Sequence, residues 1–429
     1  MNNSHKLSAM EAVQKIKQGQ LTAESLIRSC LDRVSERDNM VKAWSHIDPE
    51  KAIDRARAAD KRGNKGPLAG IPIAVKDIID TADMPTRHGS TIYEFNQPTI
   101  DAAVVSKTRS MGGVIMGKTV TTEFAWRNPG ATCNPHNLNH TPGGSSSGSA
   151  AGVADYQFPL AFGTQTGGSV IRPAAYCGVV GFKPSFGTYD RNGVKELSSY
   201  LDTVGIMART VQDAAFFDSV LRGNSSTNTP ILDNTSLRIG AFVPFRENAE
   251  QHALSALESG VRKAEKMGAT VVDIVSSKNF EILADIHNVI MTGDASRALA
   301  WEYDNKHEQL TQFYTENIAL GRAISNELLE QAKNDANRAR LEQTDTLFKH
   351  VDVLLTLSAS GEAPKGTLLT GDPLFNKVWT MLGFPCVTIP FQKGPSGLPL
   401  ALQIVAPMNK DSLALAASAW FEKVLSQGY

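Results

Sequence analysis

Two serines and one lysine are the residues of this chain best placed to carry out chemistry. Ser145 lies in the run Gly-Gly-Ser-Ser-Ser-Gly at residues 143–148, and Ser169 ends the run Gly-Thr-Gln-Thr-Gly-Gly-Ser at residues 163–169. Glycine-rich turns let the backbone approach a ligand closely and present N–H groups to it. Lys76 ends an otherwise apolar run, where burial would lower the pKa of its amine. Together these residues predict a serine hydrolase whose general base is a lysine.

The segments around these residues resemble a known family, the amidase signature family of carboxamide hydrolases and amidotransferases with a Ser–cis-Ser–Lys triad. The matching stretches are Gly-Ile-Pro…Val-Lys-Asp at 70–77, Gly-Lys-Thr at 117–119, Thr-Pro-Gly-Gly-Ser-Ser-Ser-Gly at 141–148, and residues 163–173. Residues 68–220 carry this core signature, and Gly-Phe-Pro at 383–385 and Gly-Leu-Pro-Leu-Ala-Leu-Gln at 397–403 are also similar to the family. Because the signature is long, ordered and unevenly spaced, chance is a poor explanation for it.

The resemblance implies a role for each site residue. Ser169 would be the nucleophile, Lys76 the base, and Ser145, after a cis peptide bond from Gly144, the proton shuttle. The backbone N–H groups of four residues would form the oxyanion hole, namely Thr166, Gly167, Gly168 and Ser169. Ser147 and Thr164 resemble the hydrogen-bonding partners that hold the shuttle and the lysine. No cofactor and no metal are implied.

Taken one residue at a time, less specific interpretations compete with these roles. A serine after Gly-Gly is usually a turn or N-cap residue. Residues 145–149 could form a flexible serine-glycine loop. Lys76 could be a strand-end lysine paired with Asp77 or another acid at the surface, and Ser147 and Thr164 could bond only to nearby backbone.

Arg172 departs from the commoner family pattern, in which arginine follows the nucleophile by two residues. Here it follows Ser169 by three, in Gly-Ser-Val-Ile-Arg-Pro, and this variant resembles the bacterial malonamidases. There the arginine grips a substrate carboxylate, which suits the planar fork of a guanidinium. The expected substrate is a small, malonamate-like amide acid. The alternative is an arginine that braces the loop through backbone carbonyls or an internal acid.

Three other functions compete with a free-standing amidase. Residues 144–148 match G-x-S-x-G with Ser146 as nucleophile, but the preceding residues are no strand, as that motif requires. The chain could instead be the glutaminase subunit of a tRNA-dependent amidotransferase, which shares the whole signature. A non-enzymatic binding protein on this scaffold is disfavoured by the intact Lys76, Ser145 and Ser169.

The elements that must position these residues can be read from periodicity and turn residues. Strands are predicted at 71–75, 114–116 and 158–162, and helices at 7–18, 22–37, 101–111, 147–154 and 171–176, with a loop at 128–144. Alternation of strands and helices predicts an α/β fold, one amidase-signature domain over residues 1–429 whose mixed central sheet is covered by helices on both faces. Residues 278–349 form a helical excursion that either covers the substrate entrance or is only a solvated face.

Charge and hydropathy limit the kinds of partner that this chain is expected to bind. Lys and Arg total 43 against 44 Asp and Glu, so no basic surface indicates nucleic acid. The sequence has no apolar stretch of membrane-spanning length, and its N-terminus lacks a signal-peptide core. Four scattered cysteines fit reduced thiols in a cytoplasmic protein. The expected partner is a small-molecule amide, and a homodimer through the N-terminal helices is a further hypothesis.

Overall fold

One mixed β-sheet runs through the chain in the computed structural model, which describes residues 3–224 and 237–426. Its eleven strands are β1 (Trp44–Ile47), β2 (Pro72–Lys76), β3 (Val114–Thr119), β4 (Leu160–Gln165), β5 (Val180–Lys183), β6 (Thr203–Ala208), β7 (Arg238–Phe242), β8 (Thr270–Ile274), β9 (Val353–Leu357), β10 (Cys386–Lys393) and β11 (Pro399–Val405). They follow the order β1-β3-β2-β4-β6-β5-β10-β11-β9-β7-β8. β2 pairs in parallel with β3 and β4, and β7 with β8 and β9, while the other pairs are antiparallel.

Helices connect and cover these strands. In the described residues they are α1 (Ala9–Lys17), α2 (Ala23–Val41), α3 (Pro49–Lys61), α4 (Ala103–Ser110), α5 (Ser147–Ala154), α6 (Ile171–Cys177), α7 (Val211–Leu221), α8 (Gln251–Lys266), α9 (Lys278–Ala298), α10 (Ala300–Asn305), α11 (Gln312–Arg322), α12 (Asn326–Leu347), α13 (Leu374–Met381) and α14 (Asp411–Ser426). Short 3₁₀ turns lie at Ser4–Lys6, Thr91–Tyr93, Glu123–Ala125, Arg246–Asn248 and His307–Gln309. None of the helices in the described ranges is long and apolar enough to span a bilayer.

The central strands are buried on both faces. In β4, Leu160 and Phe162 join the large core cluster that includes residues of α7 and α14, whereas Ala161 joins a smaller cluster with residues of α5 and α6. Successive strand residues point to opposite faces, so the two clusters lie on opposite sides of the sheet. The predicted α/β fold, with a mixed sheet covered by helices on both faces, is therefore confirmed.

Most predicted elements are present with shifted ends. The predicted helix at 22–37 is α2, which Thr22 caps by accepting a hydrogen bond from the Ser25 backbone N–H. The predicted strand at 158–162 begins and ends later, as Leu160–Gln165, because it continues to pair with β6 up to Gln165. Thr164 and Gln165 therefore belong to the central sheet, directly before the turn that carries Ser169.

Candidate active site

Lys76 is the last residue of β2 and is completely buried. Its Nζ lies 2.7 Å from Ser145 Oγ and 2.7 Å from Thr164 Oγ1. Burial lowers the pKa of Lys76 well below its ordinary value, and the negative charge of Asp202 opposes that shift. The neighbouring Asp77 carboxylate instead faces Lys118, whose Nζ lies 3.4 Å away. The interpretation of Lys76 as a surface lysine paired with Asp77 is therefore wrong.

The segment before α5 presents Ser145 to this lysine. The Gly144–Ser145 peptide bond is cis, as the family resemblance implies. Gly143 has a φ of 80°, in the left-handed region that favours glycine, and an added Cβ there would lie 2.7 Å from Pro173 Cα. Ser147, at the start of α5, donates its hydroxyl to the Gly143 carbonyl at 2.8 Å. Ser147 thus contacts the loop that holds Ser145, whereas Thr164 contacts Lys76 directly.

Ser146, the rival nucleophile, points into the sheet. It is fully buried, and its Oγ donates to the carbonyl of Thr164 and accepts from the N–H of the same residue, both at 3.2 Å. The residues before it, 141–144, form no strand. This environment agrees with the rejection of the G-x-S-x-G interpretation.

Ser169 lies in the turn between β4 and α6, 7% exposed, on the wall of a cavity. The side chain of Gln165 shapes this turn, since its Oε1 accepts hydrogen bonds from the N–H groups of Val170 and Ile171 at 2.8 and 3.0 Å. Within residues 3–224 and 237–426, no acceptor is found for the backbone N–H groups of Gly167, Gly168 or Ser169. These three groups can donate to a ligand at the turn.

Arg172 both braces the loops and faces the cavity. Its Nε donates to the Thr370 carbonyl at 2.8 Å, and its Nη2 donates to the Gly144 carbonyl at 2.7 Å. Its Nη1 is buried without a hydrogen-bond partner among the described residues, and Arg172 lines the same cavity as Ser169. Burial lowers the pKa of the guanidinium to about 10, so it remains charged at neutral pH. The bracing contacts are present, and one nitrogen remains for a ligand.

The cavity beside Ser169 has a volume of about 290 Å³. The sheet side contributes the turn and Arg172, and the helical segment contributes a wall from α9 and α11. That wall consists of His287, Asn288, Met291, Thr292, Phe313 and Asn317. The segment 278–349 thus borders the pocket that contains Ser169, rather than forming only a solvated face.

The charged side chains that line this cavity are of one sign, although Asp372 lies near enough to act on two of them. Arg127, Arg172 and Lys377 line it, and no Asp or Glu is among its described lining residues. Lys377 donates to Asn288 Oδ1 at 3.2 Å, and partial burial lowers the pKa of its amine. Low-dielectric walls with several cations favour an anionic ligand.

Four residues near the site were missed by sequence reasoning. Asp202 accepts the Thr166 hydroxyl, and His287 contacts the Thr166 carbonyl. Arg127 and Lys377 both line the cavity but are far apart in the chain. Asp202 could have been noticed as a lone acid directly before an apolar strand. The other three carry no local motif, and only the tertiary fold brings them to the turn.

Comparison with known proteins agrees with the geometry. The family model described as "Amidase" matches residues 25–415. A glutamyl-tRNA(Gln) amidotransferase subunit from Salinispora tropica is 32% identical over 99% of this chain and 98% of its own length. A crystal structure described as an amidase superposes with a TM-score of 0.89 at 28% identity, covering 98% of this chain and all of the other. The peptide amidase of Stenotrophomonas maltophilia superposes with a TM-score of 0.85 at 25% identity, over 99% of this chain and 98% of the other.

The family match extends well beyond the signature at 68–220 and includes the helical segment that lines the cavity. Similarity to the malonamidases in particular finds no support in these relatives and stays a prediction. The chain therefore belongs to the amidase signature family and is an enzyme that hydrolyses amide C–N bonds.

Proposed function

We propose that this enzyme hydrolyses small carboxamides through an acyl-enzyme on Ser169, with Ser145 and Lys76 as the proton relay. The observation that carries the proposal is the fully buried Lys76, which lies 2.7 Å from Ser145 Oγ. Burial lowers the pKa of this amine, so the neutral form that can act as a base is populated at lower pH than for an exposed lysine. A protonated lysine could only donate and could not accept the serine proton.

In the proposed reaction, neutral Lys76 takes the proton of Ser145, and Ser145 takes the proton of Ser169 as Ser169 Oγ attacks the amide carbon. The C–N bond then breaks, and the relay returns the proton to the leaving amine. Water, deprotonated by the same relay, attacks the acyl-enzyme, the Ser169–acyl bond breaks to release the acid product, and the relay returns the proton to Ser169 Oγ. The proposed oxyanion hole is the turn of Thr166, Gly167, Gly168 and Ser169, where preorganised N–H donors stabilise the developing charge.

The substrate class is proposed from the cavity. Arg172 keeps Nη1 without a partner among the described residues, and Arg127 and Lys377 add positive charge. A guanidinium next to the reacting carbonyl binds a carboxylate strongly. The proposed substrate is therefore an amide that also bears a free carboxylate, such as malonamate.

A second candidate is the glutaminase subunit of a tRNA-dependent amidotransferase. It is favoured by the Salinispora tropica relative, which matches nearly the whole chain. Glutamine also bears a carboxylate, so the cationic cavity suits both candidates. The α-ammonium group of glutamine, however, would lie in a cavity whose described lining has three cations and no carboxylate. On this ground we favour the free-standing amidase.

The two candidates differ in substrate and in need for a partner. The purified chain alone should hydrolyse malonamate or succinamate with a higher kcat/KM than propionamide, which has no carboxylate. Glutamine should be a poorer substrate than succinamate. High glutaminase activity that appears only with a co-purifying larger protein would instead establish the subunit role. Equal kcat/KM for succinamate and propionamide would refute the carboxylate proposal.

A further inference from the structure

Thr166, the first residue of the proposed oxyanion turn, is held from two sides. Its hydroxyl donates to Asp202 Oδ1 at 2.6 Å. Its carbonyl lies 2.9 Å from His287 Nε2. Because a carbonyl oxygen only accepts, Nε2 must carry the proton in this contact. One residue of the sheet layer and one of the helical segment thus fix the position of the same turn residue.

Sheet register explains why Asp202 meets Thr166. β4 and β6 are antiparallel, with Gln165 opposite Thr203. The next residues, Thr166 and Asp202, therefore face each other just beyond the ends of the two strands. Asp202 is almost fully buried. It also accepts from the backbone N–H groups of Leu197 and Ser198 at 2.8 and 3.0 Å. Burial raises the pKa of Asp202. The hydrogen-bond donors oppose this effect, because they favour the carboxylate form.

Asp202 also lies near the proposed base. Thr164, whose hydroxyl contacts Lys76, lines a small internal cavity together with Thr166 and Asp202. The Asp202 charge acts on Lys76, raising its pKa against the larger effect of burial. The other charged groups lining this cavity are Arg191, which donates to the Asp202 carbonyl at 3.1 Å, and Lys195, which pairs with Glu302.

His287 is the counterpart of Asp202 on α9. It is buried, and desolvation lowers the pKa of the imidazole to about 4, so it is neutral near pH 7. It contacts the turn but carries no charge that could act on Lys76. Both residues therefore hold Thr166 in place, and of the two only Asp202 also acts on Lys76 through its charge.

We propose that Asp202 and His287 are positioning residues that hold the oxyanion turn through Thr166, and that the Asp202 carboxylate also keeps Lys76 basic. The inference rests on the proposed function, since it requires Lys76 to be the base. It assigns to the helical segment a part in catalysis, through the contact of His287 with the turn.

The test compares pH profiles of kcat/KM for succinamate hydrolysis by the wild-type chain and the Asp202→Asn variant. Without the negative charge, Lys76 should lose its proton more readily, so the acidic limb should move to lower pH by about half a unit or more. At the pH of the plateau, kcat should fall about tenfold or more, because the hydrogen bond that holds Thr166 is weakened. Asp54→Asn, at an exposed position on α3, removes the same charge and should leave both quantities unchanged.

His287→Leu should lower kcat about tenfold or more and should move the acidic limb much less than Asp202→Asn does, since the imidazole is neutral near pH 7 and its removal changes no charge there. His287→Gln, which keeps an N–H donor, should recover part of this loss. Circular dichroism and thermal unfolding identify variants that fail to fold, and active-site titration corrects kcat for any inactive fraction.

An unmoved acidic limb in Asp202→Asn, or wild-type kcat in His287→Leu, would overturn the inference. Its failure can be told apart from failure of the proposed function through Ser169→Ala. If Ser169→Ala is inactive while Asp202→Asn keeps the wild-type profile, only the inference is refuted. If Ser169→Ala retains wild-type activity, the proposed function itself is refuted.

Discussion

Arg172 donates from Nη2 to the carbonyl oxygen of Gly144 at 2.7 Å, which ties the segment of the proposed nucleophile to the peptide before the proposed shuttle. One side chain therefore connects two loops that are distant in the chain. The remaining nitrogen, Nη1, is what the structure offers to a substrate carboxylate. Bracing and binding are compatible roles of the same guanidinium, so they must be separated by measurement.

For Arg172→Lys we predict a selective loss of affinity for acidic amides. KM for succinamate should rise about tenfold or more, because lysine removes Nη1, the guanidinium nitrogen without a partner among the described residues, while KM for propionamide should change little. Steady-state kinetics on both substrates measure the difference, with unfolding temperature as a check on the brace. An equal rise in both KM values would show that Arg172 only supports the loops.

The lowered pKa of Lys76 predicts a specific pH dependence. The reactive form is the neutral amine, so kcat/KM should rise with pH as Lys76 loses its proton and then level off. The midpoint should lie well below the ordinary lysine pKa, because burial disfavours the charged form.

The variant Lys76→Arg should be inactive at every pH, because guanidinium stays protonated. Lys183→Met is a matched control, since Lys183 is also fully buried and, within the described part of the chain, donates only to the Pro184 carbonyl. That variant should keep the position of the acidic limb. A flat profile from acid to alkali in the wild-type chain would contradict a lysine base.

Thr164→Val tests the second contact of Lys76. The substitution keeps the shape but removes the hydroxyl 2.7 Å from Nζ, and a hydrogen bond of about 1 kcal/mol corresponds to roughly a fivefold fall in kcat. Thr108→Val serves as control, because Thr108 is also buried and its hydroxyl donates only to the Val104 carbonyl within α4. Equal kcat values for the two variants would show that the Thr164 hydroxyl does not contribute to catalysis.

Two adjacent glycines predict opposite results on substitution. A Cβ at Gly168 would lie 2.5 Å from Asn376 Oδ1 and 3.0 Å from Arg172 Nη1, whereas the nearest atom to a Cβ at Gly167 is at 3.4 Å. Overpacking of this kind costs about 1–3 kcal/mol, so Gly168→Ala should lose about tenfold or more of kcat/KM. Gly167→Ala should stay within about threefold of the wild type. A reversed order would mean that the turn has a different geometry in the active enzyme.

The sequence predicted the elements around the site well, because local patterns determine them. The apolar run before Lys76 is a buried strand, and the small residues at 147–154 form α5 against the sheet. The contact between Lys76 and Ser145 was implied by family resemblance and could not be derived from spacing, since it depends on how the segment before α5 packs against the end of β2. Asp202 and His287 reach Thr166 only through strand register and the path of α9, and neither leaves a local motif.

The most direct test of the central claim is labelling of the chain with a fluorophosphonate that reacts with activated serines, followed by peptide mass mapping. We predict one adduct, on Ser169, formed much more slowly in Lys76→Ala, because the relay that activates the serine would lack its base. An adduct on Ser146, or no serine adduct in an enzyme that still hydrolyses amides, would contradict the proposed Ser169–Ser145–Lys76 site.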